Sequence, residues 1–333
     1  MDNNFIGSTE IYLPEKILTN QDLKLEFPDW DYSKIQDKVG IFQRHVCGAD
    51  ETALDLAVKA SEKLLLRYDK SKIDFVILCT QSPDYFLPTT ACILQDRLGL
   101  SGKTGAFDFN LGCSGYVYGL AIAKGLLASG ISENLLFITS ETYTKHIYSK
   151  DIANRAIFGD AATASVITRS DISKIGHFTF GTDGSGMNNL IIQNRGLRNA
   201  YDPEAVEIEY GTGNFYTLNN LYMNGPEIFN FTIDNVPPLI QSNLRANQIS
   251  IEDIDYFIFH QANKFMLEYL RKKIGIPPDK FYIDMVETGN TVSNTIPIAL
   301  KNAFDKGVIG KGSKVMLAGF GVGYSWGAVM LEV

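Results

Sequence analysis

The chain has 333 residues, a formal net charge of −8, 45% hydrophobic residues and 20% charged residues. That is the composition of a folded globular chain, long enough for about two units at roughly 100–200 residues each. The acidic balance argues against a nucleic-acid partner, whose phosphates require a basic field.

The start, Met1-Asp2-Asn3-Asn4, has neither the basic nor the apolar region of a signal peptide. Thr52 reads as the cap of a helix running to about Tyr68, with Leu54, Ala57, Val58, Leu64 and Leu65 at helical spacing. Residues 73–78 form an apolar run of strand length. Similar runs recur at 106–109, 135–139, 162–167, 256–259 and 315–318. Helices between them predict a mixed or parallel sheet with helices on its faces. The apolar stretch 116–130 is broken by Lys124 and falls short of the roughly 20 residues of a membrane helix. Cys47, Cys79, Cys92 and Cys113 are too scattered for a disulfide framework, and no C-x-x-C pair suggests zinc. The expectation is a reducing, cytoplasmic setting.

An internal repeat is visible. Ile73-Asp74-Phe75-Val76-Ile77-Leu78 parallels Ile254-Asp255-Tyr256-Phe257-Ile258-Phe259. Each is followed by a helix ending in Leu98-Gly99-Leu100 or Ile274-Gly275-Ile276. A strand then closes on Gly112-Cys113 or Gly289-Asn290. From Cys113 to Gly130 is 17 residues, as is Asn290 to Gly307. A strand-helix-strand-helix-strand unit thus occurs twice, dividing the chain into residues 1–172 and 173–333. Residues 181–225 do not repeat and read as an inserted loop region, a common carrier of binding surfaces.

Cys113 lies between a strand and the apolar helix that contains Tyr116, Val117, Leu120, Ala121, Ile122, Leu126 and Leu127. At such a helix N-terminus, unpaired N–H groups and the dipole stabilise a thiolate. Cys47, Cys79 and Cys92 lack this context and read as ordinary buried or partly buried residues. His260 directly follows a strand, at the sheet edge where ligands bind. His146 and His177 read as surface residues, and His45 as a residue among polar neighbours. Asn290 holds the place in the second repeat that Cys113 holds in the first, so the two side chains should face each other across a pseudo-twofold axis. The Gly319–Gly327 loop lacks the helix and acidic residue of a dinucleotide site. It reads instead as the source of a backbone N–H near Cys113. Gly181-Thr182-Asp183-Gly184-Ser185-Gly186 likewise lacks the context of a phosphate loop.

Cys113, His260-Gln261-Ala262-Asn263, Gly289-Asn290-Thr291 and the glycine-rich end together resemble the ketoacyl-acyl carrier protein synthase III family of thiolase-like condensing enzymes. The resemblance spans essentially the whole chain, including Gly40-Ile41, Arg44-His45 and Phe158-Gly159-Asp160. It implies an α/β thiolase-like fold of five αβαβα layers, built from two duplicated halves and usually a homodimer. It further implies that Cys113 takes an acyl group from a thioester, with the Cys113 and Val322 N–H groups as oxyanion hole. His260 and Asn290 then promote decarboxylation of a malonyl thioester on acyl carrier protein, and no metal or redox cofactor takes part. Substrate contacts are implied for Lys38, Leu87, Phe158, Met223, Phe229, Ala262, Asn263 and Phe320. Carrier-protein docking is implied for Lys264, Arg271, Lys272 and Lys273, a local basic cluster on an acidic chain. The chain departs from the family pattern at Gly321-Val322-Gly323, at Lys34 with Trp30 displaced upstream, at Phe265 and at Leu87. These departures point to a specialised relative.

The alternative reading keeps the acyl-Cys but transfers the acyl group to another acceptor without chain extension. A non-decarboxylating condensation would need a carboxylate near Cys113, for which Asp84 and Asp108 are the near candidates in sequence. A papain-like protease shares the order Cys, His, Asn but lacks the expected Cys-Trp context. A non-catalytic subunit of a heterodimer would not be expected to keep all three reactive residues.

Overall fold

The computed structural model describes residues 8–30 and 37–333. In chain order the strands are β1 (Thr9–Tyr12), β2 (Ile17–Thr19), β3 (Gln43–His45), β4 (Phe75–Cys79), β5 (Gly105–Phe109), β6 (Asn134–Glu141), β7 (Ala161–Thr168), β8 (Ile175–Thr182), β9 (Leu190–Ile191), β10 (Ile208–Tyr210), β11 (Asn214–Tyr216), β12 (Tyr222–Met223), β13 (Tyr256–Phe259), β14 (Lys314–Gly321) and β15 (Ser325–Glu332). The helices are α1 (Asn20–Glu26), α2 (Ala53–Leu65), α3 (Thr90–Arg97), α4 (Gly115–Ala128), α5 (Ile152–Arg155), α6 (Gly225–Asn247), α7 (Lys264–Ile274) and α8 (Thr295–Asp305).

The first sheet has the order β1-β7-β6-β4-β5 and the second β13-β14-β15-β8. The two correspond strand for strand. In each, a parallel pair (β4/β6 or β13/β14) is extended by antiparallel neighbours (β7 then β1, or β15 then β8). The correspondence stops at β5. The sequence predicts its counterpart as a strand closing on Gly289-Asn290, but the structure reduces it to one parallel bridge, Phe257 to Phe281. Ladder pairing is lost because the Asp284 N–H donates to the Gln261 side chain at 2.8 Å instead of to a strand.

Apolar faces set the layers. Tyr116, Val117, Leu120 and Leu127 of α4 and Ile296, Ala299 and Leu300 of α8 pack between the two sheets, against Ile77 and Phe137 on one side and Ile258 and Leu317 on the other. α2 and α3 cover the outer face of the first sheet through Leu54, Leu56, Leu64 and Leu94. α6 and α7 cover the outer face of the second through Leu239, Ile240, Leu267 and Leu270. The result is a five-layered αβαβα sandwich. α2 starts at the Thr52 cap, with a reciprocal Asp55 capping box, and ends at Leu65, short of the expected Tyr68. α7 starts at Lys264 with Asn263 as cap, so three loop residues separate it from His260. Of the expected insert 181–225, Gly181 and Thr182 end β8 and Gly225 opens α6; between them lie a 3₁₀ helix (Gly184–Asn189) and the short strands β9–β12, from which Leu190 and Met223 reach a cavity shared with Cys113. Among the described residues, no helix is long and apolar enough to cross a membrane.

Candidate active site

Cys113 precedes Ser114, the N-cap of the buried helix α4. Asn290 precedes Thr291, which opens the turn leading into α8. The two central helices therefore aim their N-termini at one place. Phe158 bridges Asn290 in parallel fashion. Asn290 N–H donates to Ile157 carbonyl at 2.9 Å, and Gly159 N–H to Asn290 carbonyl at 3.0 Å. These bonds pin the Asn290 loop of one half to the FGD segment of the other.

Cys113, His260 and Asn290 all line one cavity of about 150 Å³, with Ile157, Phe158, Leu190, Met223, Ile228, Thr232, Ala262, Asn263, Met266, Phe320 and Gly321. Its wall facing the sulfur has no room for a side chain. A Cβ on Gly321 would sit 2.9 Å from Cys113 Sγ, and one on Gly319 would sit 2.8 Å from the Cys113 carbonyl. These glycines let β14 press against the nucleophile loop.

The N–H groups of Cys113 and Val322 both reach the Cys113 sulfur. A valine between two glycines thus still supplies the backbone donor. The sequence suggested a thiolate held low by the helix end, but burial dominates. It pushes the Cys113 thiol up to about 12, reinforced by the negative charge of Glu141 and opposed by the two N–H groups.

His260 takes its place through its N–H, which donates to the Ala318 carbonyl at 2.7 Å. Its Nδ1 lies 2.7 Å from Thr295 Oγ1, which leaves Nε2 for the cavity. Burial pushes the imidazole down to about 3, against the Val292 carbonyl, which pulls the other way. Asn290 Oδ1 accepts from Val292 N–H at 2.9 Å, which leaves the Nδ2 hydrogens for a ligand. Val292 is in the left-handed region at φ 58°. For a β-branched residue this costs about 1–3 kcal/mol, and it is what aims the Val292 N–H at Asn290.

Other expected contacts divide. Phe158, Met223, Ala262, Asn263 and Phe320 line the cavity. Phe229 does not: its ring stacks on Phe265 at 5.6 Å and meets Tyr269 edge-on, on the outer face of α6 and α7. Leu87 is 82% exposed, between the exposed Phe86 and Pro88, and lies outside this chain's cavity. Lys38 is exposed, and Lys34 falls outside the described residues. Trp30 packs against Leu23, Ile152 and Ala156 and is not an exposed stacking platform. Lys264 and Lys272 are exposed. The Arg271 guanidinium pairs with Glu268 at 2.9 Å and donates to the Ile276 carbonyl. Lys273 Nζ donates to the Ile233 carbonyl at 2.7 Å.

Neither Asp84 nor Asp108 is among the residues that line the cavity. Asp108 accepts from Thr90 N–H and Ala91 N–H at the start of α3, and Asp84 from Leu54 N–H. The carboxylate beside Cys113 is Glu141, at the end of β6, which the sequence reading passed over. It is fully buried and accepts from Gln81 N–H (3.0 Å), Ser82 Oγ (3.1 Å) and Ser293 Oγ (3.3 Å). Burial holds its pKa up to about 8, against those donors. A charged residue closing a strand whose middle, Leu135 to Ile138, is apolar was the available signal. His146, expected at the surface, lies under the insert: its carbonyl accepts from Leu221 N–H, and its Nε2 is 3.3 Å from Ser82 Oγ. Burial pushes it down to about 4. Cys92, expected to be at least partly buried, is exposed, because α3 turns Ala91 and Leu94 inward.

Two duplicated strand-helix halves with a cysteine at one central helix and His and Asn from the other half define a thiolase-like condensing enzyme. The match to known proteins agrees. Residues 107–184 fit the family model "3-Oxoacyl-[acyl-carrier-protein (ACP)] synthase III" and residues 244–333 its C-terminal counterpart. The beta-ketoacyl-[acyl-carrier-protein] synthase III of Clostridium novyi is 35% identical over 100% of this chain and 99% of its own. A crystal structure of a 3-oxoacyl-(acyl-carrier-protein) synthase III superposes with TM-score 0.95 at 44% identity, covering 98% of each chain. That of the Thermus thermophilus beta-ketoacyl synthase III gives 0.84 at 33% identity, again covering 98% of each. The chain belongs to the 3-oxoacyl-[acyl-carrier-protein] synthase III family of condensing acyltransferases.

Proposed function

We propose that the protein condenses an acyl group, loaded on Cys113, with malonyl-acyl carrier protein by decarboxylative Claisen chemistry. The observation that carries this reading is the single cavity shared by Cys113, His260 and Asn290, with no carboxylate among its described lining residues.

The Cys113 sulfur attacks the carbonyl carbon of an acyl thioester. A C–S bond forms, the thiol proton passes to the departing thiolate, and the old C–S bond breaks. The Cys113 and Val322 N–H groups hold the tetrahedral oxyanion, each donor worth roughly 2.7–4 kcal/mol. The malonyl thioester then offers its carbonyl oxygen to His260 Nε2 and Asn290 Nδ2. Its C–CO₂ bond breaks, carbon dioxide leaves, and the electron pair forms an enolate. The enolate carbon bonds to the acyl carbon and the Cys113 sulfur leaves, to be reprotonated by water. A base for α-proton removal is missing from this lining, since His260 is driven far below neutral. Loss of carbon dioxide makes the enolate without one. Nothing in this scheme requires a metal or redox cofactor.

The domain halves are residues 1–172 and 173–333, each giving one side of the cavity. β5 ends the first sheet with one edge unpaired and is half-buried throughout. Such an edge fits pairing with a second copy, which would put the exposed Leu87 within reach of a partner's pocket. Exposed Lys264 and Lys272 fit docking of an acidic carrier protein beside the cavity. The four thiols are free, as suits the reducing cytoplasm.

Intact-mass measurement after incubation with acyl-CoAs and acyl carrier proteins of varied chain length tests the reading. One donor should acylate Cys113, and malonyl-acyl carrier protein should then discharge it with release of carbon dioxide. Absence of acylation from every donor would overturn it.

A further inference from the structure

We infer that the Thr295 hydroxyl is a positioning group that decides which nitrogen of His260 carries the proton. This rests on the proposal that His260 donates a hydrogen bond to the malonyl thioester. The need for such a group follows from burial. His260 is 2% exposed and stays neutral at any working pH. A neutral imidazole has one N–H, so Nε2 can donate into the cavity only if Nδ1 is bare.

Two oxygens stand near the imidazole. Thr295 Oγ1 is 2.7 Å from Nδ1, and the Val292 carbonyl is also within hydrogen-bonding reach of the imidazole. The carbonyl can only accept, and by itself it would hold the proton on Nδ1 and present a bare Nε2. The hydroxyl can do either. In one orientation its proton goes to the Val292 carbonyl at 3.0 Å, its lone pair accepts from Nδ1–H, and Nε2 is an acceptor. In the other its proton goes to Nδ1, and Nε2–H becomes a donor.

The second orientation leaves no buried group unpaired. Val292 carbonyl keeps a donor, because the Thr295 backbone N–H also bonds to it. Thr295 is 2% exposed at the first residue of α8, whose Ile296, Ala299 and Leu300 pack between the two sheets beside α4. A thioester oxygen, an acceptor only, selects the Nε2–H form on arrival. The exchange moves protons along one hydrogen bond and creates no charge in a buried site, where charge is costly.

The test pairs a tautomer readout with the two half-reactions. The chain has four histidines, and the ¹⁵N signals of His260 are assigned in labelled protein by difference from His260→Ala. With a non-decarboxylating malonyl thioester analogue bound, wild-type protein should show Nε2 protonated. Thr295→Val should show Nδ1 protonated under the same conditions. It should acylate Cys113 at close to the normal rate and lose carbon dioxide release by about 10²-fold, the effect of removing one aligned donor. Thr295→Ser should restore both signals and rate. Should Thr295→Val fold poorly, Thr295→Ala is read in the same way. Unchanged tautomer signals or normal carbon dioxide release in these variants would overturn the inference. Normal carbon dioxide release in His260→Ala would overturn the underlying role of His260 instead, and the tautomer signals distinguish the two failures.

Discussion

The Cys113 loop and the Asn290 loop occupy equivalent places in the two halves, yet they are built for opposite tasks. Both lie two residues or a short turn before a central helix. The Cys113 loop is held against bare backbone, with Gly319 and Gly321 pressed on it and two N–H groups on its sulfur. The Asn290 loop is held by its own side chain, which accepts from Val292 N–H, and by Val292 in a strained conformation. In the proposed reaction the first loop offers a nucleophile between donors. The second offers donors to a ligand. Duplication gave one scaffold position twice, and the local packing decided the chemistry at each.

Substitutions that fill the first loop should do the most damage. Gly321→Ala would place a methyl 2.9 Å from Cys113 Sγ. Overpacking against the Cys113 side chain costs about 1–3 kcal/mol in stability, and acylation should fall below detection by intact mass even where the variant remains folded. Normal acylation of Gly321→Ala would mean that β14 does not close on the sulfur.

A smaller effect is expected from the carboxylate behind the two loops. Glu141 accepts from Ser82 and Gln81 on one side and Ser293 on the other. Its charge raises the Cys113 thiol, although burial raises it more. Glu141→Gln should speed alkylation of Cys113 several-fold above pH 8, where Glu141 is ionised. The substitution also removes the charge that helps raise Cys79 and Tyr143, so the readout is the alkyl adduct on Cys113 itself. The stability profile should alter too. The folded carboxyl binds its proton up to about 8, while an unfolded glutamate loses it near 4.5. Stability should therefore fall as pH rises between those values. Thermal melts across that window should show a shallower fall for Glu141→Gln, and an unchanged slope would remove Glu141 from this role.

Docking should respond least. Reversing Lys264 and Lys272 to Glu should raise the KM for carrier-bound malonate several-fold and weaken its salt dependence. Acylation from a small thioester should not change. Equal loss with both donors would place these lysines elsewhere in function.

What could be read from the sequence follows this division. The apolar runs of β4, β6, β13 and β14, the Thr52 cap and the repeat were legible because each depends on neighbours along the chain. The repeat brought Asn290 opposite Cys113, and the family resemblance supplied roles for both. Glu141 was not legible, since its three donors come from Gln81, Ser82 and Ser293, far away in sequence. His146 was misread for the same reason: residues 220 and 221 of the insert cover it. The pairing of Arg271 with Glu268 one helical turn earlier was within reach of the sequence, since i,i+3 neighbours on a helix meet.

The central claim is that the halves divide the reaction, with Cys113 loading and His260 with Asn290 decarboxylating. Single-turnover measurement of both steps in Asn290→Ala tests it most directly. Acyl transfer to Cys113 should stay close to the wild-type rate, while carbon dioxide release should fall by about 10²–10³-fold. Equal loss of both steps, or carbon dioxide release at the wild-type rate, would contradict the division.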